Sequence, residues 1–282
     1  MIDLGPMADR IIRLALEEDL GSGDVTTDAV IDPDLRGEAW LIAREELILA
    51  GMPAFKRVFL ELDPETAFEE YYGDGDLIPG DTRVCLLKGR LAPILRGERT
   101  ALNFLQRMSG IATLTRRYVE RVAPSKVRIL DTRKTSPGLR WFDKYAVRMG
   151  GGFNHRFGLS DGVLVKDNHI AAAGSISRAV NLARKHAPHT LRIEVEAEDL
   201  AGVAEACRAG ADAILLDNMS PAELVKAVEA IKGAAMVEAS GGITLDIVKE
   251  VAGTGVDMIS VGALTHSPKA ADFSLEISPK GD

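Results

Sequence analysis

The sequence has little cysteine and no long apolar run. Its two cysteines, Cys85 and Cys207, match no metal-ligand spacing and are too few for a disulfide framework, which favours a reducing compartment. No apolar run approaches the roughly 20 residues that a membrane span requires, and no basic segment precedes an apolar one near the amino terminus. We therefore expect a cytoplasmic protein that has no membrane partner.

Positive charge is scarce as well. The formal net charge is -8, which argues against a general nucleic-acid binder. Residues 131–169 run against this background, because they contain seven Lys or Arg and only four Asp. A local excess of positive charge in an acidic chain indicates that an anion binds there.

Part of this basic stretch has the pattern of an exposed helix. Arg140, Lys144 and Arg148 recur every four residues, with Trp141 and Tyr145 on another side of the same predicted helix. This spacing is typical of an amphipathic helix with a solvated charged face. We therefore predict that these three cations lie on the surface.

The other cations of the stretch lie where strands should end. Arg133 and Lys134 follow the apolar run VRIL, His155 and Arg156 follow a triple glycine, and Lys166 closes the run GVLV. A cation at the end of a buried strand is costly unless it meets a counter-charge. Because α/β folds build ligand sites at strand ends, we predict a binding site here.

The first part of the chain has a mixed pattern. We predict a helix over residues 6–19, then short extended pieces with one helix over residues 37–96, which indicates an α+β segment. A long helix is predicted from about residue 97 to residue 122. It would place Arg99 in its first turn, where the helix dipole disfavours a cation unless it pairs with Glu98 or meets an anion.

The second part alternates between apolar runs and helical patterns. Six runs end in a polar or small residue, and FNHRFG is a candidate for a seventh strand. This alternation is typical of a parallel sheet covered by helices, so we predict an α/β barrel of six or seven strands. The predicted domains are an α+β sandwich with the long helix over residues 1–123 and a barrel over residues 124–270. We expect the tail, residues 271–282, to pack back on the first domain.

The last four strand ends carry acids and glycines. Glu196 and Asp217 could pair with the cations across the barrel mouth, or hold Mg²⁺, which needs only one or two protein carboxylates. ASGGIT at residues 239–244 and SVGALT at residues 260–265 offer free backbone N–H groups before helices. Such loops are the usual phosphate cradle of barrels, although glycine also serves plain turns.

Several motifs together resemble the quinolinate phosphoribosyltransferase family. They are ERTALNFLQRMSGIATLTR, DTRKTSPGLR, KYAVRMGGGFNHRFGLSDGVLVKDNH, EVEAEDL, ILLDNM, EASGGIT and GVDMISVGALTHS. The likeness runs from EEDLGSGDVTT near the amino terminus to DFSLEI near the carboxyl terminus. It implies an open sandwich followed by an α/β barrel, in a homodimer whose active sites each receive Arg99 from the partner subunit.

The resemblance also implies what individual residues do. Around quinolinate it places Thr132, Arg133, Lys134, His155, Arg156 and Lys166. Around the sugar 5-phosphate it places Ser240, Gly241, Gly242, Gly262 and Ala263. Glu196 and Asp217 correspond to acids near the ribose and Mg²⁺, which they would hold directly or through water. With Lys166, these two acids are the catalytic residues that the resemblance implies.

The implied reaction belongs to NAD biosynthesis. The phosphoribosyl group of 5-phosphoribosyl-1-pyrophosphate passes to quinolinate, which loses a carboxylate, giving nicotinate mononucleotide, pyrophosphate and CO₂. Two alternatives remain open. A Lys that closes a barrel strand is also how Schiff-base aldolases present their nucleophile, which would be Lys166. A molybdenum-transport-associated paralogue shares the fold, although the intact KDNH and NHR sequences favour the catalytic family.

Overall fold

The computed structural model of the protein describes residues 5–279, so residues 280–282 of the predicted tail lie outside the described residues. The first elements in chain order are α1 (Gly5–Leu20), α2 (Val25–Val30), β1 (Arg36–Ala43), β2 (Leu47–Ile48), α3 (Met52–Leu62), β3 (Ala67–Glu70), β4 (Leu77–Ile78), β5 (Thr82–Arg90) and α4 (Leu91–Val122). The later elements are β6 (Arg128–Leu130), α5 (Arg140–Met149), β7 (Val163–Val165), α6 (Asp167–Ala173), α7 (Ile176–His186), β8 (Ile193–Ala197), α8 (Leu200–Ala209), β9 (Ala213–Asp217), α9 (Pro221–Ile231), β10 (Met236–Ser240), α10 (Val248–Ala252), β11 (Met258–Ser260), α11 (Ala263–His266) and β12 (Phe273–Pro279).

The chain forms two compact units that alternate along the sequence. The first comprises residues up to 116, residues 136–151 and residues from 267 onward, and the second comprises residues 117–135 and 152–266. The single domain boundary after residue 123 stays a prediction. Within the first unit, Arg107 donates to both carboxylate oxygens of Asp143 at 2.8 Å, which joins α5 to α4.

The first unit is built on a four-stranded antiparallel sheet in the order β12-β1-β5-β3. Trp40 in the middle of β1 lies opposite Leu86 of β5 and Glu276 of β12, so the carboxyl-terminal strand is paired along β1. Helix α3 contributes the buried Phe55 and Phe59 to the core of this unit. An α+β class is therefore confirmed for this part of the chain.

Helix α4 begins earlier than the sequence predicts. It starts at Leu91 rather than near residue 97, so Arg99 lies in its third turn and not in its first. Gly97 does not mark the helix start. A Cβ at this position would lie 2.9 Å from the Phe59 ring, so the glycine permits a close helix contact instead. The dipole argument for an anion at Arg99 was therefore wrong.

Helix α5 corrects a second prediction. Of the three cations assigned to the surface, Arg148 is exposed and Arg140 is half-buried, but Lys144 is only 2% exposed. The buried positions of this helix include Phe142, Asp143 and Lys144 in succession. A four-residue charge repeat thus misjudged the helix face, because a helix buried on more than one side does not keep a solvated stripe.

The second unit contains a six-stranded parallel sheet in the order β6-β11-β10-β9-β8-β7. Strands β8, β9 and β10 each pair with the strands before and after them in the chain, and β11 pairs with β10 and β6. Successive parallel pairing of this kind is how a (β/α) barrel is built. The sheet curls so that alternate residues of β8, β9 and β10 line its interior. The intervening residues are apolar and buried: Val195, Ile214, Leu216, Val237 and Ala239.

The barrel remains open between its two end strands. Phe153 forms one isolated parallel bridge with Leu130 of β6, and the candidate seventh strand FNHRFG is otherwise irregular. Within residues 5–279, β7 has β8 as its one sheet neighbour. The prediction of a six- or seven-stranded barrel is confirmed, with six strands and this seam. No helix in the described part of the chain is long and apolar enough to cross a membrane.

Candidate active site

A cavity of about 510 Å³ opens at the carboxyl ends of the barrel strands. Its lining residues are Thr132, Arg133, Lys134, His155, Arg156, Leu164, Lys166, Glu196, Leu215, Asp217, Asn218, Glu238, Ser240, Gly241, Gly242 and Ser260. Eleven of the residues selected from the sequence are among these sixteen. The strand-end argument therefore located the cavity.

The cations line one part of this cavity. Arg133 and Lys134 follow β6 and are exposed, and the Lys134 backbone N–H donates to Thr132 Oγ1 at 3.0 Å. Arg156 is half-buried: one guanidinium nitrogen donates to the Gly162 carbonyl at 2.8 Å, and its buried Nε has no hydrogen-bond partner. Burial and then the charge of Arg133 lower the pKa of Arg156. An anion between these arginines would relieve both effects.

His155 is oriented by hydrogen bonds on both sides of its ring. Its backbone N–H donates to the fully buried Asp131 at 2.9 Å. Its Nδ1 accepts from the Arg156 backbone N–H at 2.7 Å, so Nε2 carries the ring hydrogen. Nε2 lies 3.1 Å from Glu194 Oε2. The ring is therefore fixed in one tautomer against a carboxylate.

Lys166 and Glu196 form an ion pair across two neighbouring strands. Lys166 Nζ donates to Glu196 Oε2 at 2.8 Å, with side-chain exposures of 47% and 8%. Lys166 follows β7 and Glu196 lies within β8, so the parallel pairing of these strands brings the two side chains together. The pair satisfies a largely buried carboxylate while leaving the ammonium group open to the cavity.

Asp217 is held by its chain neighbour. Asn218 Nδ2 donates to Asp217 Oδ2 at 2.7 Å, and the Asn218 backbone N–H donates to the Ser240 carbonyl at 2.9 Å. Asn218 adopts a positive φ of 55°, which is uncommon for a residue other than glycine and clusters at functional sites. Gly241, with φ +95°, packs so closely that a Cβ there would lie 2.2 Å from Asn218 Oδ1.

Three of the residues selected from the sequence do not line the cavity. Gly262 lies beside it, where a Cβ would meet the Lys134 side chain at 3.0 Å, and Ala263 begins α11. The loop after β11 contacts the loop after β6, because Thr265 Oγ1 donates to the Lys134 carbonyl at 2.9 Å. Arg99 belongs to the first unit, is exposed and forms no ion pair within residues 5–279.

Sequence reasoning missed a buried carboxyl in the cavity floor. Glu238 is 1% exposed, and its Oε1 lies 3.7 Å from His155 Nε2 without a hydrogen-bond partner. Burial and then the charge of Glu194 raise the pKa of Glu238 to about 8. The period of two along a strand could have found it, because Glu238 lies two residues before Ser240 and so shares its face. The other missed lining residues are Leu164, Leu215, Asn218 and Ser260.

The arrangement can bind an anionic ring beside a phosphate-bearing group. Planar guanidinium donors and an ammonium suit carboxylates, and carboxylates next to them suit a developing positive charge. Backbone N–H groups of the Ser240–Gly242 turn suit a phosphate. Glu196 and Asp217 supply carboxylate oxygens, the donor type that Mg²⁺ prefers.

Two family models match almost the whole chain. Residues 24–109 match the model of the N-terminal domain of quinolinate phosphoribosyl transferase, and residues 111–276 match the model of its C-terminal domain. Each model covers the part of the sequence in which the corresponding α+β or barrel elements occur.

Individual proteins are also similar to this chain over most of its length. A Bacillus subtilis protein, named probable nicotinate-nucleotide pyrophosphorylase (carboxylating), is 45% identical over 93% of this chain and 90% of its own length. A Nicotiana tabacum protein, named quinolinate phosphoribosyltransferase (decarboxylating) 1b, is 43% identical over 95% of this chain and 81% of its own. The crystal structure of NadC from Streptococcus pyogenes has a TM-score of 0.94 at 43% identity, covering 99% of both chains.

Proposed function

Because this chain belongs to the quinolinate phosphoribosyl transferase family, we propose that it transfers the phosphoribosyl group of 5-phosphoribosyl-1-pyrophosphate to quinolinate. The products are nicotinate mononucleotide, pyrophosphate and CO₂. The chain is thus a pentosyltransferase that acts on small molecules. The observation that carries this assignment is one cavity whose lining contains two arginines and two lysines together with Glu196 and Asp217.

The cation side would recognise quinolinate. This ring carries two adjacent carboxylates, so its recognition requires several converging positive groups. Arg133 and Arg156 are close enough for their charges to interact, and the buried Arg156 Nε lacks a partner that a carboxylate would supply. Lys166 contributes an ammonium group from β7. We assign these three residues to the carboxylates, with Thr132, Lys134 and His155 beside them.

The glycine side would bind the sugar phosphate. Ser240, Gly241 and Gly242 form a turn that lines the cavity after β10, and both glycines have positive φ. A turn of this kind presents backbone N–H groups to an anion without a side chain in the way. Gly262 and Ala263 lie in the neighbouring loop after β11 and would complete the cradle.

Glu196 and Asp217 fit a bound Mg²⁺. Each uses one oxygen within the protein, toward Lys166 and Asn218 respectively, and each keeps a second oxygen for a metal or for metal-bound water. When bound, Mg²⁺ would neutralise charge on the leaving pyrophosphate. The two acids would also stabilise the positive charge that develops on the ribose as pyrophosphate departs.

Lys166 has two roles in this proposal. Its ammonium group binds the carboxylate at ring position 2, and it stabilises the negative charge left at that carbon when CO₂ leaves. Lys166 Nζ already donates to the Glu196 carboxylate, whereas a Schiff-base nucleophile must present an unengaged neutral amine to its substrate. This contact therefore favours the transferase over a barrel aldolase.

Completion of the site would require a second copy of the chain. Arg99 is exposed on α4 and has no ion-pair partner within residues 5–279, so it is available to an anion on another subunit. We propose a homodimer in which Arg99 of each subunit extends into the partner's cavity. Sedimentation of the wild-type chain and of Arg99→Ala would test this, because the variant should remain dimeric while losing turnover.

A turnover assay with two acceptor bases tests the function. The protein is incubated with 5-phosphoribosyl-1-pyrophosphate, Mg²⁺ and either quinolinate or nicotinate, and both pyrophosphate and CO₂ are measured. Pyrophosphate and CO₂ should appear together with quinolinate, and little pyrophosphate should appear with nicotinate. Equal use of nicotinate would contradict a cavity built for two carboxylates. Arg178→Ala, on the exposed face of α7, is the matched control for Arg133→Ala and Arg156→Ala.

A further inference from the structure

Three polar side chains from separate parts of the barrel cluster at the floor of the cavity, which His155 and Glu238 line. His155 follows the Phe153 bridge, Glu194 lies in β8 and Glu238 lies in β10. One ligand atom of each lies within 4.8 Å of the other two. The same three residues border a second cavity of about 410 Å³ toward the other end of the barrel. His155 and Glu238 also line the substrate cavity, so these two side chains lie between the two cavities.

The cluster resembles a metal site but is arranged for a proton. A metal would need the lone pair of His155 Nε2, whereas this nitrogen carries the ring hydrogen because Nδ1 accepts from the Arg156 N–H. That hydrogen points toward Glu194 at 3.1 Å. The cluster thus contains two carboxyl groups and one ring N–H, and the carboxylate of Glu194 already accepts the hydrogen bond from that N–H.

Glu238 is the more deeply buried of the two carboxyl groups, and its side-chain hydrogen bonds are with Ser260 and Glu194. Its Oε1 is 3.7 Å from His155 Nε2, too far for a hydrogen bond, and has no hydrogen-bond partner. The side chain is 1% exposed, so water does not solvate a charge there. Two carboxylates this close in a buried place cannot both ionise at low cost, and the more deeply buried Glu238 keeps its proton.

We propose that Glu238 determines specificity for a doubly negative substrate: as a neutral acid it admits the dianion to the cavity, and as a carboxylate it repels it. This inference rests on the proposed function. A cavity for a dianion that is already lined by Glu196 and Asp217 cannot hold a third charged acid in its floor without opposing the substrate. A protonated Glu238 can instead donate its hydrogen to a substrate carboxylate.

The groups around Glu238 fix the pH at which this change occurs. Glu194 faces it from β8, Ser260 from β11 and His155 from the irregular segment, and Lys166, Glu196, Asp217 and Arg156 line the cavity above. Burial and Glu194 raise the pKa of Glu238 to about 8, against a smaller opposing effect of His155 and Ser260. Glu238 is therefore neutral at pH 7 and largely ionised at pH 9. Affinity for quinolinate should be high below this pKa and fall as the pH rises through it.

Glu238→Gln tests the inference, because an amide keeps the shape of the neutral acid and cannot ionise. The kcat/KM for quinolinate is measured from about pH 7 to about pH 9.5 for the wild type, Glu238→Gln and the exposed-surface control Glu229→Gln. Wild type and control should lose about tenfold per pH unit above the pKa, as expected for one titrating group. The kcat/KM of Glu238→Gln should remain nearly constant from pH 7 to pH 9, because the amide cannot ionise, whatever its absolute value at pH 7.

Proton uptake on binding supplies a measurement that needs no variant. Calorimetry of quinolinate binding to the wild type, in buffers of different ionisation enthalpy, should show uptake approaching one proton per site near pH 9 and almost none near pH 7. The inference is overturned if no proton is taken up at either pH. It is also overturned if the kcat/KM of Glu238→Gln depends on pH as that of the wild type does, or if Glu238→Gln is folded but inactive at every pH. Failure of the proposed function is distinct, since the wild type would then release no pyrophosphate with quinolinate at any pH.

Discussion

The cation side and the acid side of the cavity differ in how deeply they are buried. Arg133, Lys134 and Lys166 are exposed, whereas Glu196 is 7% and Glu238 is 1% exposed. An exposed cation costs the fold little, but a buried carboxylate costs several kcal/mol unless it is paired or protonated. Arg156 and Asp217 are both half-buried, so the contrast is carried by the residues at the two extremes. This contrast supports the proposal that the exposed cations bind substrate and that the buried acids are retained for function despite their cost to stability.

The largest expected effect comes from breaking the acid side. Glu196→Gln removes the charge opposite Lys166 and one of the two carboxylates proposed to stabilise the ribose cation. We expect kcat to fall about 10²–10³-fold, the usual loss when an electrostatic group of a transition state is removed. Steady-state kinetics at saturating substrates measure it, with the exposed Glu229→Gln as control. An unchanged kcat with a raised KM would place Glu196 among the binding groups instead.

Breaking the cation side should change KM rather than kcat. Arg156→Ala removes the guanidinium that donates to the Gly162 carbonyl, together with a charge beside Arg133. We expect the KM for quinolinate to rise about 10–100-fold, equivalent to one or two charged hydrogen bonds. Arg156→Lys should recover part of this loss, because it restores the charge and not the planar donors. Equal losses in both variants would show that the planar donors alone carry the affinity.

Two glycine variants test the turn after β10, which is proposed to bind the sugar phosphate. A Cβ at Gly241 would collide with Asn218, the residue that orients Asp217, whereas no heavy atom lies within 4 Å of a Cβ at Gly242. Both positions have positive φ, so both alanine variants are strained. Gly241→Ala should raise the KM for 5-phosphoribosyl-1-pyrophosphate about tenfold and lower kcat as well. Gly242→Ala should change KM less and leave kcat nearly constant; the reverse order would contradict the packing against Asn218.

The smallest expected effect is on stability. The pKa of Glu238 is about 8 in the folded protein and 4.5 in its ordinary state, so its ionisation favours the unfolded chain between these values. The contribution of Glu238 to the free energy of unfolding should be most favourable below pH 4.5, and it should fall as the pH rises toward 8. Glu238→Gln should therefore raise the Tm above pH 8 by a few degrees, on the order of 1 kcal/mol or more. Near pH 5 the Tm values of the two proteins should differ less. A difference in Tm that does not depend on pH would exclude ionisation of Glu238 as the cause.

Much of the barrel and its cavity could be predicted because each buried parallel strand appears in the sequence as a short apolar run that ends in a polar or small residue. A run such as DAILLD shows both the buried strand and, in Asp217, the residue presented at its end. Glu238 was missed because it lies inside the run MVEAS, where a single acid looks like an interruption and the sequence does not show that it faces the barrel interior. Lys144 and the start of α4 were wrong for the same reason: burial and helix length depend on packing partners distant in sequence.

The seam of the barrel has a consequence for how the pocket responds to its ligand. His155 and Arg156 lie on chain that no ladder of strand pairing holds, tethered at Asp131 and Gly162. Amide hydrogens of this wall should exchange with solvent faster than those of β8 or β9, and exchange should slow when the ring is bound. The aromatic acid would therefore be bound in part by a locally mobile segment of the barrel wall, while the paired strands around it remain rigid.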